Sequence, residues 1–274
     1  MEGIKRLFGI SVETKIPKNL AFILSILLFA IIIVSYFAVS YSRHVENPSD
    51  KVVPNIEQLL QGVKTSVSPD KTNGNIPLLT DTVTSLTRLF IAVIIAATFG
   101  ILLGVHMGIF PIVEALFLRF VLILGRVPPL ALIPIIILMS GLGEEMKIML
   151  IVVGIGPPII LDTYFQVQKI PQELLVKPLT LGASRFEVVS NVLKQIMPSF
   201  LTTVRLNLLP AWLYVIASEG IRADSGLGYR IYLVRRYMAM DTIIPYVIWI
   251  ALLAFSIDFL LSWWIKTHYK WYGR

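Results

Sequence analysis

The sequence predicts an all-α, polytopic membrane protein of about six transmembrane helices, each using about 20 apolar residues to cross a hydrocarbon core of about 30 Å. Three observations carry that expectation. Of 274 residues, 56% are hydrophobic and only 15% charged, against about 25% charged in soluble domains, and mean hydropathy is +0.78. The apolar residues fall in long runs. The Lys and Arg behind the formal charge of +7 lie between those runs, where positive charge flanks membrane spans, instead of gathering into a nucleic-acid-binding domain. Such a chain has too little polar surface for an ordinary soluble enzyme. It contains no Cys, which excludes disulfides, thiolate metal sites and a Cys nucleophile.

Residues 1–19, with Lys5, Arg6, Lys15 and Lys18, precede a first span over 20–40. The run exceeds the about 7 to 15 apolar residues of a signal peptide, so it reads as an uncleaved span although Ala38-Val39-Ser40 resembles a cleavage site. Residues 41–82 hold Pro48, Pro54, Pro69, Asn73, Gly74 and Pro77 among scattered charges. They predict an extramembrane segment with a short helix near Asn55 to Gly62.

The core, 83–265, supplies five further spans. Val83 to Val105 carries Gly100 and Gly104, with Gly108 following, and small residues four apart let two helix backbones approach closely. The third span is expected as Val113 to Leu124, a break, then Leu130 to Met139. Pro128 and Pro129 cause the break, because they bring no amide donors and push the preceding residue out of helical geometry. The fourth, Met146 to Val167, is expected to be interrupted at Gly154, Gly156 and Pro157-Pro158. Residues 168–197 are too short and too charged to span, and predict one or two amphipathic helices at the membrane surface. Ser199 to Ser218 and Ile243 to Ile265 complete the set, joined by a polar, glycine-containing connector. Trp263, Trp264, Tyr269, Trp271 and Tyr272 form an interfacial anchor leading into the tail, 266–274.

Lys and Arg near the span ends set the orientation. Four at the N-terminus, four between spans four and five (Lys169, Lys177, Arg185, Lys194) and three at the C-terminus (Lys266, Lys270, Arg274) share one side if there are six spans. That side is expected to be cytoplasmic. Arg222, Arg230, Arg235 and Arg236 oppose the assignment.

The chain carries few signs of its own chemistry. It has no Gly-Lys-Ser or Gly-Lys-Thr phosphate loop, and His44, His106 and His268 are far apart, with none in a metalloprotease arrangement. Glu144-Glu145, beside Lys147 and a Gly-Leu-Gly turn, reads as a solvated loop. Charge at the bilayer centre costs about 2.5 to 3.5 kcal/mol on insertion scales, so charges inside spans need a reason. Arg88 and Arg205 are candidates for the cationic lining of an anion path; alternatively each snorkels or pairs with a carboxylate such as Asp162 or Glu219. Glu219 could pair with Arg222. Asp258, midway along the last span, is expected to face protein.

The stretch Leu181-Gly182-Ala183-Ser184-Arg185-Phe186 places a glycine between two amphipathic segments, a shape that docks into a groove of a soluble partner. Here the chain resembles the membrane permease subunit of binding-protein-dependent ABC importers, in the branch that handles nitrate, sulfonates, taurine and related small anions. Four features over about residues 80–265 carry the resemblance: Thr84-Ser85-Leu86-Thr87-Arg88 followed by Gly100 and Gly104; Arg126-Val127-Pro128-Pro129-Leu130-Ala131-Leu132-Ile133-Pro134 leading to Gly141-Leu142-Gly143; the Leu-Gly-Ala-Ser-Arg loop at 181–185; and Ser225-Gly226-Leu227-Gly228-Tyr229. The family's coupling motif is degenerate in this chain. Val176-Lys177-Pro178 stands where the family has Glu-Ala-Ala, Val192 takes an Ile position, and Lys194-Gln195 replaces Leu-Pro.

The resemblance implies a multi-pass inner-membrane subunit that binds no cofactor and catalyses nothing itself. ATP would be bound by two cytoplasmic ATPase subunits docked on 168–197, through Leu181 to Phe186. A binding protein would deliver solute from outside, and a second permease subunit, either an identical copy in a homodimer or a similar chain, would complete the pathway in the lipid, with no role for nucleic acid. Arg88, Pro128, Pro129, Arg205 and Glu219 are the candidate pathway residues. Two other classes stand beside it: a stand-alone secondary transporter or channel, and an intramembrane hydrolase.

Overall fold

The computed structural model describes residues 17–48, 50–69 and 74–272. Among these, five helices are long and apolar enough to cross a membrane, and a sixth crossing is available if one sharply bent pair counts as a span. The first helix, α1 (Lys18–Glu46), is exposed throughout 19–35. Its far end is tied down. Tyr36 donates to the Pro54 carbonyl at 2.9 Å, Ser40 to that of Val53 at 3.1 Å, and His44 meets Gln58 at 3.1 Å. Gln58 belongs to α2 (Ile56–Val67), whose start Asn55 and Gln58 close with a reciprocal capping box, satisfying two amides that a helix start leaves without partners.

The centre is a pair of parallel helices, α3 (Pro77–Ile109) and α6 (Glu144–Gln168). Pro77 at the first helical position starts α3 upstream of the expected Val83, since its missing amide would be unpaired there anyway. Gly100, Gly104 and Gly108 lie against Ile159, Thr163 and Val167. A Cβ on Gly104 would stand 2.8 Å from the Ile160 carbonyl oxygen, so the two backbones touch directly. Around this seam Leu89, Ala92, Ile151, Ile155, Ile159, Phe200, Ala211, Trp212 and Val215 form the main core.

Between them the chain forms α4 (Pro111–Leu124), a 3₁₀ turn at Pro129–Leu132 and α5 (Ile133–Ser140). The two arms meet at 91°, with the break at the proline pair. The second proline pair behaves differently from expectation: α6 runs without interruption through Pro157 and Pro158. Packing explains the difference. Ile151, Ile155 and Ile159 of α6 are at most 1% exposed in the core, and at membrane depth neighbouring helices compensate for carbonyls that a proline frees.

The charged segment also corrects a sequence expectation. After α7 (Gln172–Thr180), α8 (Arg185–Leu206) is no short surface helix. It continues past Asn207 into α9 (Leu208–Glu219), and Phe186–Glu219 is one 34-residue stretch long and apolar enough to contain a crossing. Val188, Val192, Ile196, Phe200 and Val204 are all buried at four-residue spacing, so one apolar stripe runs unbroken from the polar stretch into the apolar one. The connector contains α10 (Leu227–Arg235), and α11 (Met240–His268) closes the fold. Asp258 on α11 is 52% exposed rather than turned into the chain, with Arg205 at 3.5 Å.

Candidate functional site

Two features stand at opposite ends of the α3–α6 pair. At the end where α3 and α6 begin, six charged side chains neutralise one another. Arg88 grips Glu144 with two nitrogens, at 2.6 and 2.7 Å, and reaches Glu219 at 2.8 Å with a third. Lys147 donates to Glu144 at 2.7 Å, and Arg230 to Asp81 at 2.8 Å. Arg88, Lys147, Asp81 and Glu219 are at most 4% exposed. Charges this deeply buried persist only when paired and hydrogen-bonded.

Backbone completes the cluster. Glu219 also accepts from Ser85 at 2.7 Å and from the Gly228 amide at 2.8 Å, while Asp81 accepts from the Gly226 amide at 2.9 Å and from Tyr246 at 3.1 Å. Arg88 donates to the Ser225 carbonyl at 2.9 Å, and Ser85 accepts from the Leu227 amide at 2.8 Å. Ser225-Gly226-Leu227-Gly228 is therefore a strap held over the ends of α3 and α9. Glu219 meets Arg88, and among the described residues no ion pair joins it to Arg222. Glu144 lies in this network instead of in a merely solvated loop. Asp81, Ser85 and Arg88, spaced by four and three on one helix face, were the signal in the sequence for this partnership.

At the other end, the turn between α7 and α8 is built from two helix caps. The Ala183 amide donates back to the Pro178 carbonyl at 2.9 Å, and Gly182 adopts φ +89°, the left-handed closure that favours glycine. Pro178 sits in the last turn of α7, which is only nine residues long. Ser184 and Glu187 then cap α8 reciprocally. Leu181 and Phe186 flank the turn at 87% and 80% exposure. Ala183 is partly covered, and the Arg185 side chain is outside the described set. Behind the turn, Val192 and Ile196 pack on Val105 and Val167, linking it to both central helices.

The remaining candidates lie elsewhere. Pro128 and Pro129 form the bend between α4 and α5, and Arg205 stands on α8 beside Asp258. No group of three His, Asp or Glu able to hold a metal occurs among the described residues.

Comparison with known proteins gives the same picture. Residues 96–272 match the family model described as binding-protein-dependent transport system inner membrane component. The chain is 32% identical over 191 residues to the taurine transport system permease protein TauC of Escherichia coli (strain K12), covering 69% of this chain and 70% of that protein. It is 29% identical to a putative ABC transporter permease protein, MJ0413 of Methanocaldococcus jannaschii, over 91% of each chain. It is also 29% identical to the nitrate import permease protein NrtB of Synechococcus elongatus, covering 65% of this chain and 66% of that one. Among solved structures, a chain of the MetNI methionine ABC transporter in an inward-facing conformation shares the fold, with TM-score 0.59 and 18% identity over 69% of this chain and 95% of that one. The chain belongs to the family of binding-protein-dependent transport system inner membrane components.

Proposed function

We propose that this chain forms the translocation pathway of an ATP-driven importer for a small anionic solute such as a sulfonate or nitrate, and that it works as a homodimer. The relatives named for taurine and nitrate transport support the solute class. ATP is bound and hydrolysed by separate cytoplasmic subunits, and a binding protein delivers solute at the opposite face, over the 41–82 segment and the 225–228 strap. Residues 1–19, 168–197 and 266–274 are cytoplasmic, 20–40 is the first span and 83–265 the permease core. Of the four arginines that oppose this orientation, Arg230 has its charge neutralised by Asp81.

One observation carries the reading: two exposed apolar side chains, Leu181 and Phe186, flank a capped glycine turn that is packed through Val192 and Ile196 onto both central helices. An ATPase gripping Leu181 to Phe186 would move α8 and, through it, the pathway, a rigid-body switch between two access states. Arg88 and Glu219 brace the outer end of the wall, and Pro128-Pro129 breaks the helix beside the path. The test replaces Gly182 by Trp and measures ATP hydrolysis of the assembled complex with solute-loaded binding protein. Loss of solute-stimulated hydrolysis is expected; full stimulation would overturn the docking assignment, and failure of any ATPase to co-purify with the parent chain would favour a stand-alone transporter.

A further inference from the structure

The cations of the buried cluster are neutralised, and Arg205 stands beside Asp258. Arg119 and Arg126 differ. Both are exposed on the surface of the chain, and among the described residues neither has a carboxylate within ion-pair distance. Glu114, the acidic residue of α4, is engaged by the Tyr164 hydroxyl at 2.6 Å. Seven positions separate the two arginines; Arg119 lies within α4, and Arg126 lies in the turn just beyond its last residue, Leu124.

Their depth follows from contacts with α6. Glu114 meets Tyr164 near the α7 end of α6, whereas a Cβ on Gly125 would lie 3.5 Å from the Cβ of Pro157. Pro157 is the fourteenth of the 25 residues of α6. α4 thus climbs along α6 from its last turns to its middle, putting Arg126 at mid-membrane level and Arg119 below it. Arg119 is eight residues, about 12 Å, from the start of α4, two turns into the span.

An ionised residue at that depth faces protein or water, not lipid. The backbone at the same place says the same: the 91° bend at Pro128-Pro129 is irregular structure of a kind that survives in a bilayer only inside protein or along a water-lined cavity. Resting on the importer reading above, we propose that Arg119 and Arg126 form a two-step cationic ladder for the anionic solute, Arg126 at the mid-membrane bend and Arg119 nearer the coupling end, on the side where two permease subunits enclose the path. Guanidinium matches this task because it stays charged and binds planar or tetrahedral oxyanions through paired N–H donors. Arg88 and Arg205, the arginines singled out from sequence, each already have an acidic neighbour.

The absence of Cys makes the test direct. Arg119→Cys, Arg126→Cys and, for comparison, Ile94→Cys on the exposed side of α3 each give this subunit one thiol. The assembled transporter in proteoliposomes is treated with a sulfonate-bearing methanethiosulfonate or its trimethylammonium counterpart, and labelling of the subunit is followed by mass. Both arginine positions are expected to label faster than Ile94→Cys. At Arg119→Cys the sulfonate reagent should be preferred by about tenfold, a preference that Arg126→Lys keeps and Arg126→Gln removes. Labelling no faster than at Ile94→Cys, or no reagent preference while Arg126 is present, would overturn the ladder. Solute-stimulated ATP hydrolysis of the parent complex reads the importer assignment separately, because labelling requires only the folded subunit in its membrane.

Discussion

The carboxylate of Glu219 occupies the space that a side chain on Gly226 would need: a Cβ there would lie 2.6 Å from either carboxylate oxygen, and the residue holds φ +132°. The strap at 225–228 is thus a glycine strap for two reasons at once. Gly226→Ala is expected to destabilise the folded subunit by about 1 to 3 kcal/mol, the usual cost of forcing a group into a filled site. Thermal unfolding in detergent measures this, and an unchanged midpoint would mean that strap and carboxylate separate freely.

Removing one partner of the buried pair should cost more. Glu219→Ala removes one of the two carboxylates that neutralise Arg88 and strands the Ser85 hydroxyl proton and the Gly228 amide, for an expected loss of about 3 to 5 kcal/mol. Glu219→Gln keeps hydrogen-bonding capacity and should lose less. The combined Arg88→Met and Glu219→Met variant should lose less than the sum of the two single changes, since contacting residues are not additive.

The seam between α3 and α6 makes a steric prediction. Gly104→Val would drive a branched side chain into Thr163 and the Ile160 carbonyl and is expected to block assembly of the folded subunit. Gly74→Val, with nothing within 4 Å of the added carbon, tests instead the strain of its φ of +66° alone. Folded yield by size-exclusion chromatography in detergent compares the two, with the seam variant expected to be the more damaging.

For the coupling turn, Leu181→Ala and Phe186→Ala should leave the subunit's own stability within about 0.5 kcal/mol, the usual range for surface changes, because both side chains are largely exposed. Co-purification of the ATPase should fall in each. A drop in stability with no change in co-purification would assign both residues to the fold.

The tie between α1 and α2 should depend on pH. The Arg43 guanidinium, with help from the Val52 amide, holds the Asp50 carboxyl below its ordinary value of 3.8. A carboxyl whose folded value is depressed stabilises the fold above its unfolded pKa and loses that contribution as pH falls through the folded one. Hydrogen exchange at Val52, whose amide donates to Asp50, should therefore quicken relative to its intrinsic rate below about pH 4. Asp50→Asn should abolish that step.

The pattern of spans was legible because apolar length alone dictates it, and the Pro128-Pro129 break because two missing donors in a lightly covered segment have nothing to offset them. Pro157-Pro158 misled for the complementary reason: burial on several sides outweighs a local breaker, and burial by distant helices leaves no local trace. Likewise α8 carries its inward stripe through a change of composition, which average polarity conceals and four-residue spacing reveals. At the charged sites, Arg88 and Glu219 were visible as charges out of place. Their pairing, 131 residues apart in sequence, was one of two readings open to Arg88, and the fold decides it by setting α3 beside α9.

Gly100, Gly104 and Gly108 face Ile159, Thr163 and Val167, and Arg88 lies near Lys147 through their shared Glu144; every one of these four pairs is offset by 59 positions. Three side chains seated in three notches fix α3 and α6 as a single plank that neither twists nor slides without unseating them. Any change of access must then pivot about this plank, at the joint where the chain is already sharply bent: the proline elbow between α4 and α5.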